Sequence, residues 1–255
     1  MTKTTELPDQ TKRLGFFATM LVATINWLYT FYYCFLITVT ALLFSKSRPR
    51  IDKYLKDWSR GMCKIINLKV NLVGNFKPED NRRYIVLCNH SSIYDIPVSF
   101  LSIDGSLRML AKKELFRIPI LSRAMKSAEI ISIDRQNKEQ AQEDLAIAKA
   151  KMADGIIPWI APEGTRSADG ELLPFKKGAV HLALQTDAVI VPMVIKDIYK
   201  VLPKNNFRFA LNQTVEVRLG EPVDATVYTV EQRTELTALL REKMAEMLKP
   251  ELSND

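Results

Sequence analysis

The uncharged run from Leu14 to Ser45 constrains the fold of this chain more than any other feature. It is 32 residues long and rich in aromatic side chains, so it must lie in a bilayer or against a protein core. As a helix it would extend about 48 Å, whereas the hydrocarbon core of a membrane is about 30 Å thick. The run could therefore form one span with interfacial ends, or two shorter helices that turn near Asn26. A cleaved signal peptide is disfavoured because the stretch is too long and lacks a small-x-small site, and a buried core helix is the remaining alternative.

Basic residues flank this run on both sides, which favours contact with anionic lipid at the cytoplasmic face of a membrane. In a bacterium this would be the inner membrane. The net charge of +7 indicates an acidic partner, which could be a membrane surface, a nucleic acid or a phosphorylated substrate. Residues 51–75 then continue with apolar side chains at helical spacing, as expected of an amphipathic connector. The flanking basic residues are Lys12, Arg13, Lys46, Arg48, Arg50 and Lys53.

After the connector, strand-like and helix-like segments alternate. This order predicts an α/β domain with a mixed, mainly parallel sheet flanked by helices, preceded by the N-terminal apolar helical membrane segment. We divide the chain into a membrane-binding segment with its connector, 1–60 (apolar 14–45), and an α/β domain, 61–255. The predicted strands are 69–73, 84–88, 107–111, 129–133, 156–161, 188–195 and 215–219. The predicted helices are 95–102, 114–126, 138–153, 177–186 and 230–248.

The sequence N-H-S-S-I-Y-D-I-P follows the strand at 84–88 and contains His90, one of only two histidines. Asp95 could fix the tautomer of His90 and leave its other ring nitrogen free to take a proton from a hydroxyl. Residues five apart on one helix lie about 140° apart, so the pair can meet only if the backbone bends between them. Ser91 and Ser92 are suited to such a bend. The alternative is a helix cap beside a satisfied polar residue.

A second polar motif, P-E-G-T-R-S, follows the strand at 156–161. Gly164 allows a ligand to approach the backbone closely, and Arg166 can bind a phosphate with two hydrogen bonds, helped by Thr165 or Ser167. Glu163 could hold the arginine or bind a substrate hydroxyl. The alternative is an ordinary surface turn with an internal Glu–Arg pair.

Further basic residues stand at strand ends, where they could surround an anionic substrate. They are Lys112 and Lys113 after one strand, and Arg135, preceded by Asp134, after the next. His181 lies inside a predicted helix, where a packed or surface role is favoured over a second base. Three cysteines without a C-x-x-C pair indicate buried, reduced thiols, and so few Cys and His residues disfavour a zinc site. The cysteines are Cys34, Cys63 and Cys88.

Together these motifs resemble the glycerolipid acyltransferase family, most of all its bacterial 1-acyl-sn-glycerol-3-phosphate acyltransferases. The hallmark N-H-x4-D is matched by Asn89, His90 and Asp95, and the second block resembles the basic residues from Lys112 to Arg135. P-E-G-T-R-S matches the third block and the Val-Pro pair at 191–192 the fourth, so that the resemblance covers roughly 60–222. Two departures are Ala161, where phenylalanine is usual, and Ser-Ala-Glu at 127–129, where a glycine often precedes the strand.

The resemblance implies transfer of an acyl group from acyl-CoA or acyl carrier protein to the sn-2 hydroxyl of 1-acylglycerol 3-phosphate. His90 would be the general base and Asp95 would orient it. The substrate-binding residues would be Lys113, Arg135, Glu163, Gly164, Thr165 and Arg166, with the arginines on the phosphate. No metal or cofactor is required, and the expected partners are a lysophospholipid, the acyl donor and anionic membrane lipid, with no nucleic acid.

Three other interpretations compete with this one. A hydrolase could use Ser91 or Ser92 as its nucleophile, although the chain has no G-x-S-x-G elbow. A non-catalytic module could bind anionic lipid through its basic faces, but this does not explain a His–Asp pair beside a Glu–Arg turn. The same chemistry could also act on another lysophospholipid.

Overall fold

A computed structural model of the chain describes residues 12–133 and 138–249. The helices are α1 (Phe16–Leu43), α2 (Arg48–Ile65), α3 (Asp95–Ser102), α4 (Pro119–Ser127), α5 (Lys138–Ala153), α6 (Gly178–Thr186), α7 (Ile198–Val201) and α8 (Arg233–Leu248). The strands are β1 (Lys69–Val73), β2 (Tyr84–Cys88), β3 (Ser106–Lys112), β4 (Ile131–Ile133), β5 (Ile156–Ile160), β6 (Val189–Lys196), β7 (Thr214–Leu219) and β8 (Val223–Asp224). Two short 3₁₀ helices cover Lys113–Arg117 and Ala225–Val227.

The described strands form one sheet in the order β1-β7-β6-β2-β5-β3-β4, with β8 paired to β6. The β6–β7 and β6–β8 pairs are antiparallel and the other pairs are parallel. The predicted mixed, mainly parallel sheet is therefore confirmed. Because β2, β5 and β3 are parallel neighbours, their carboxyl ends lie side by side at one edge, where sites form in such sheets.

Helices cover both faces of the sheet, and the buried side chains of β2 alternate between two cores. Val86 and Cys88 pack with Ile66, Val98 and other residues on the side of α2 and α3. Ile85 and Leu87 face the opposite core, built from α5, α6 and α8. Successive side chains of a strand point to opposite faces, so a strand covered on both sides must be apolar throughout, as the sequence Y-I-V-L-C is.

The N-terminal apolar run forms one unbroken helix, α1, and the alternative of two helices turning near Asn26 is wrong. Asn26 is buried within α1, on the side that packs against the rest of the protein. Gly61 lets α2 approach α1, because a Cβ at this position would stand 2.0 Å from the Tyr29 hydroxyl oxygen. Within the described residues, α1 alone is long and apolar enough to cross a membrane.

The outward side of α1 exposes large apolar side chains. Phe17 is 86% exposed and Leu42 78% exposed, which is far more apolar surface than an ordinary core helix leaves open. The exposed apolar surface continues onto α4, which packs against α1 and exposes Ile120. The other exposed apolar residues of α1 include Phe16, Leu21, Trp27, Leu28, Tyr32, Phe35 and Leu43.

Charged side chains tie α2 to the sheet at the end opposite to the carboxyl ends of the parallel strands. Arg108 of β3 is buried, and its Nη1 lies 2.7 Å from Asp52 Oδ1 on α2. At the start of α2, Arg48 makes two 2.7 Å hydrogen bonds to the carboxylate of Glu129 and also pairs with Asp154. Arg48 is therefore used inside the protein, contrary to the expected contact with anionic lipid.

The predicted segments differ from the observed elements mainly where the backbone turns sharply. The helix expected at 114–126 is divided, because Ile118 before Pro119 is extended and the proline begins α4. The strand expected at 129–133 starts at Ile131, because Glu129 has a φ of 60° and closes the end of α4. The short elements α7 and β8 were not predicted. The proposed boundary after residue 60 falls within α2 and stays a prediction.

Candidate active site

The loop from Asn89 to Tyr94 joins β2 to α3 and contains His90. Asn89 fixes the start of this loop, because its buried amide donates to the Ile195 carbonyl oxygen at 3.1 Å and accepts from the Ile195 N–H at 2.8 Å. The two bonds extend the pairing of β2 with β6 through a side chain. His90 is thereby held at the edge of the central strands.

His90 and Asp95 are in contact because the backbone bends between β2 and α3. His90 Nδ1 lies 2.6 Å from Asp95 Oδ2, and the same oxygen accepts hydrogen bonds from the N–H groups of Ser91 at 2.8 Å and Ser92 at 2.9 Å. Asp95 is fully buried, whereas the His90 side chain is 22% exposed. When Nδ1 donates to the carboxylate, Nε2 is left as a proton acceptor, and Nε2 has no hydrogen-bond partner among the described residues. Such an arrangement suits a histidine that takes a proton from a hydroxyl.

Glu163 holds two backbone segments together at the candidate site. It is buried, and its two oxygens accept from the N–H groups of His90 at 2.9 Å and Leu173 at 2.8 Å. Burial raises the pKa of Glu163, although the two N–H donors oppose this shift. The N–H of Ser167 also donates to the carbonyl oxygen of His90 at 2.7 Å, so the turn that follows β5 contacts both backbone polar groups of His90.

The middle of this turn faces outwards. Gly164 has a φ of 72°, a conformation that glycine adopts at little cost. Thr165 is exposed and Arg166 is half-buried. No hydrogen bond or ion pair to Arg166 is formed within the described part of the chain, so its guanidinium is available to an anion. The internal Glu–Arg pair of an ordinary surface turn is not present.

Lys113 and Arg135 were the other predicted substrate-binding residues. Lys113 directly follows β3 and is exposed. Since only β5 separates β3 from β2, Lys113 and the His90 loop lie at the same edge of the sheet. Asp134 and Arg135 lie outside the described residues, and the role of Arg135 stays a prediction.

The remaining polar candidates are less suited to chemistry. Ser91 and Ser92 are buried, and the Ser92 hydroxyl donates to the Leu202 carbonyl oxygen at 2.9 Å, which disfavours either serine as a nucleophile. His181 lies in α6 as predicted, and burial, with Arg233 and Lys149 nearby, lowers its pKa.

Sequence reasoning did not anticipate how Asn89 and Glu163 are used. Both bind backbone groups far away in the chain, 106 residues away for Asn89 and 73 for the bond from His90 to Glu163. A hydrogen bond to a backbone group does not depend on the type of the partner residue, so it leaves no pattern in the sequence. The only sequence signal for these two roles was that Asn89 belongs to the first polar motif and Glu163 to the second.

Comparison with known proteins places this chain in a family. The acyltransferase family model matches residues 69–196, which include His90, Asp95 and the turn after β5. A 1-acyl-sn-glycerol-3-phosphate acyltransferase of Cocos nucifera is 40% identical over 129 residues, 50% of this chain and 42% of that protein. The human 1-acyl-sn-glycerol-3-phosphate acyltransferase alpha is 31% identical over 191 residues, 74% of this chain and 66% of that protein. The chain thus spans from under half to about two thirds of the length of these two curated relatives.

Two bacterial proteins match over most of their length. A 1-acyl-sn-glycerol-3-phosphate acyltransferase of Salmonella typhimurium is 28% identical over 226 residues, 86% of this chain and 91% of that protein. The crystal structure of the 1-acyl-sn-glycerophosphate acyltransferase of Thermotoga maritima has a TM-score of 0.78 at 25% identity, covering 90% of this chain and 92% of that one. Because the family model matches half of its residues and the fold is shared with a solved acyltransferase, this chain belongs to the acyltransferase family.

Proposed function

We propose that this protein transfers an acyl group from acyl-CoA or acyl carrier protein to the sn-2 hydroxyl of 1-acylglycerol 3-phosphate, forming phosphatidic acid. The observation that carries the proposal is the 2.6 Å contact between His90 Nδ1 and Asp95 Oδ2, which leaves Nε2 open. The names of the similar proteins from coconut, human and Salmonella support the choice of acceptor.

The reaction needs no covalent enzyme intermediate. His90 Nε2 takes the proton of the acceptor hydroxyl while the oxygen attacks the thioester carbonyl carbon. A carbon–oxygen bond forms, the carbon–sulfur bond breaks, and the proton passes from the imidazolium to the leaving thiolate. Asp95 accepts the Nδ1–H bond throughout and stabilises the imidazolium. A positioned base of this kind contributes about 10²–10⁴-fold in rate, and holding both substrates in register contributes further.

The acceptor's phosphate would bind beside the turn after β5. Arg166 has free donors for a bidentate contact, Thr165 adds a hydroxyl, and Gly164 allows the ligand to approach the backbone. Lys113 supplies positive charge from the neighbouring strand end, and Arg135 is expected to do the same. Glu163, in this proposal, keeps the turn and the His90 loop together.

The exposed apolar side of α1 gives the protein a means of reaching its substrates, because both the lysophospholipid and its product reside in a membrane. We propose that α1 associates with the membrane and that the catalytic domain faces the cytoplasm. Lys46 and Arg50, which are exposed beyond the end of α1, can bind anionic headgroups.

An acyl-transfer assay on the full chain in detergent tests this proposal. Each donor, acyl-CoA or acyl carrier protein, is combined with 1-acylglycerol 3-phosphate or with a lysophospholipid that has a choline or ethanolamine headgroup. We expect product from the phosphate acceptor with at least one donor. If only another lysophospholipid gave product, the assignment of 1-acylglycerol 3-phosphate as the acceptor would be wrong. If folded protein gave no product with any pair of donor and acceptor, the proposed enzymatic function would be wrong.

A further inference from the structure

The loop between α7 and β7 brings a cation to the turn that follows β5, from outside the segment that the family model matches. Lys204 lies in this loop, beyond residue 196, where the match ends. Its Nζ donates to Thr165 Oγ1 at 3.1 Å, and both side chains are exposed. Lys204 therefore contacts the outward-facing part of the same turn that carries Arg166.

The backbone of this loop is held next to His90 by contacts with Ser92. The Ser92 hydroxyl donates to the Leu202 carbonyl oxygen at 2.9 Å, and Ser92 also forms an isolated antiparallel bridge with Pro203. The loop thus touches the motif two residues after His90, and its lysine reaches across to the turn that contacts the His90 backbone. The loop of Lys204 therefore contacts both the His90 loop and the turn after β5.

The charges around the turn are unbalanced. Lys176 lies so close to Gly164 that a Cβ there would stand 2.9 Å from its Nζ. Among the described residues, no carboxylate lies within ion-pair distance of Lys176, Lys204 or Arg166. Glu163 is buried and bonded to two N–H groups, so it does not offset these cations at the surface.

The same loop also meets the start of the proposed membrane helix. The ring of Phe207 packs edge-on against Phe16, with centroids 6.1 Å apart, and the Leu14 N–H donates to the Phe209 carbonyl oxygen at 2.8 Å. A lipid that enters the site from the side of α1 would bring its headgroup past this loop. An ammonium has three donors, and the hydroxyl of Thr165 occupies one of them.

We propose that Lys204 binds the phosphate of the lysophospholipid acceptor together with Arg166, and so helps to select acceptors whose headgroup is a phosphate monoester. This inference rests on the proposed function for the identity of the acceptor. It adds a binding residue that lies outside the four sequence blocks and is contributed by a loop anchored to α1.

Direct binding of the acceptor, without a donor, tests this role separately from turnover. Titration of 1-acylglycerol 3-phosphate in detergent micelles is followed by tryptophan fluorescence, since Trp159 lies edge-on to His90 with ring centroids 5.8 Å apart. We expect Lys204→Ala to raise the acceptor Kd about threefold to tenfold, as for loss of one partly exposed charged contact. Lys204→Arg should stay near the wild-type value. The affinity for acyl-CoA should not change in either variant.

Lys77→Ala is the matched control, because Lys77 is exposed between β1 and β2, at the amino ends of the parallel strands, and its loss removes the same charge. An acceptor Kd that is unchanged in Lys204→Ala, or equally raised in Lys77→Ala, would overturn the inference. A raised Kd for acyl-CoA alone would also contradict it. If Lys204→Ala has a lower Tm than the wild type, the acceptor Kd is measured for Lys204→Gln instead. Wild-type protein that binds the acceptor without turnover would refute the proposed function and leave this inference standing, whereas failure to bind the acceptor would refute the inference.

Discussion

At the residue scale, the site depends on carboxylates that bind backbone as well as side chains. Asp95 accepts three hydrogen bonds through one oxygen, from the His90 ring and from two consecutive backbone N–H groups. Asp95 thus fixes the loop and the imidazole together. Glu163 binds only backbone, with one oxygen on the His90 N–H and the other on the Leu173 N–H, and so holds the same loop from the turn after β5.

Glu163→Gln should therefore impair the chemical step more than substrate binding. A glutamine has one acceptor oxygen, so its NH₂ group would face one of the two N–H donors and displace the loop. We expect kcat to fall about 10- to 100-fold with the acceptor KM within about twofold, because a small misplacement of the base is costly. Steady-state kinetics measure both, with Glu171→Gln in the same loop as the control. A raised KM at unchanged kcat would instead place Glu163 in substrate binding.

The sequence pointed to the residues that we propose for the chemistry, but not to the residues that position them. His90 and Asp95 could be paired in advance because a nearby carboxylate can orient a histidine, and because Ser91 and Ser92 allow the bend that this contact requires. Asn89 and Lys204 could not be assigned, since their partners, Ile195 and Thr165, are brought close only by the order of the strands.

At the element scale, the turn between α4 and β4 depends on a charged residue where glycine would be easier. Glu129 adopts a φ of 60°, which costs a residue with a side chain about 1 kcal/mol. Its carboxylate is held by two hydrogen bonds from Arg48 at the start of α2. The absent glycine of the family pattern is thus replaced by a residue that ties α2 to the catalytic domain.

Glu129→Gln should lower stability in a pH-dependent manner. The hydrogen bond from Arg48 lowers the pKa of Glu129, so its stabilisation is present above the ordinary carboxyl pKa and is lost as the pH falls through the lowered pKa. We expect a loss of about 1–2 kcal/mol at neutral pH, seen as a lower Tm. The difference from wild type should shrink below about pH 4.

Thermal melts of both proteins in detergent, from neutral to acid pH, measure this dependence. Glu242→Gln is the control, because Glu242 is exposed on α8 and makes no ion pair within the described residues. A Tm difference that stays constant across the range would show that Glu129 acts through its shape and not its charge.

At the scale of the whole molecule, the order of the strands brings the residues of the candidate site together, and α1 leaves a large apolar surface exposed. The alternating segments predicted the α/β class, but not that β5 would lie between β2 and β3, which brings three separate motifs to one edge. Nor could the sequence predict which side of α1 is covered. The structure leaves Phe17, Leu28 and Leu42 exposed while Asn26 packs inwards.

This surface predicts firm attachment to membranes. After cell lysis, we expect the full chain to remain in the membrane fraction through washes with high salt and alkaline carbonate, and to be released by detergent. Resident peripheral proteins removed by the same washes serve as the internal control. Release by high salt alone would mean that the basic residues, and not the apolar side of α1, provide the attachment.

The assignment of His90 as the base of an acyl transfer can be tested by comparing two histidine variants. Radiolabelled acyl transfer to 1-acylglycerol 3-phosphate is measured for wild type, His90→Ala and His181→Ala, with Tm as a check on folding. We predict that His90→Ala loses about 10²–10⁴-fold or more in rate while remaining folded, and that His181→Ala stays close to wild type. Near-normal turnover by folded His90→Ala protein would show that His90 is not the base.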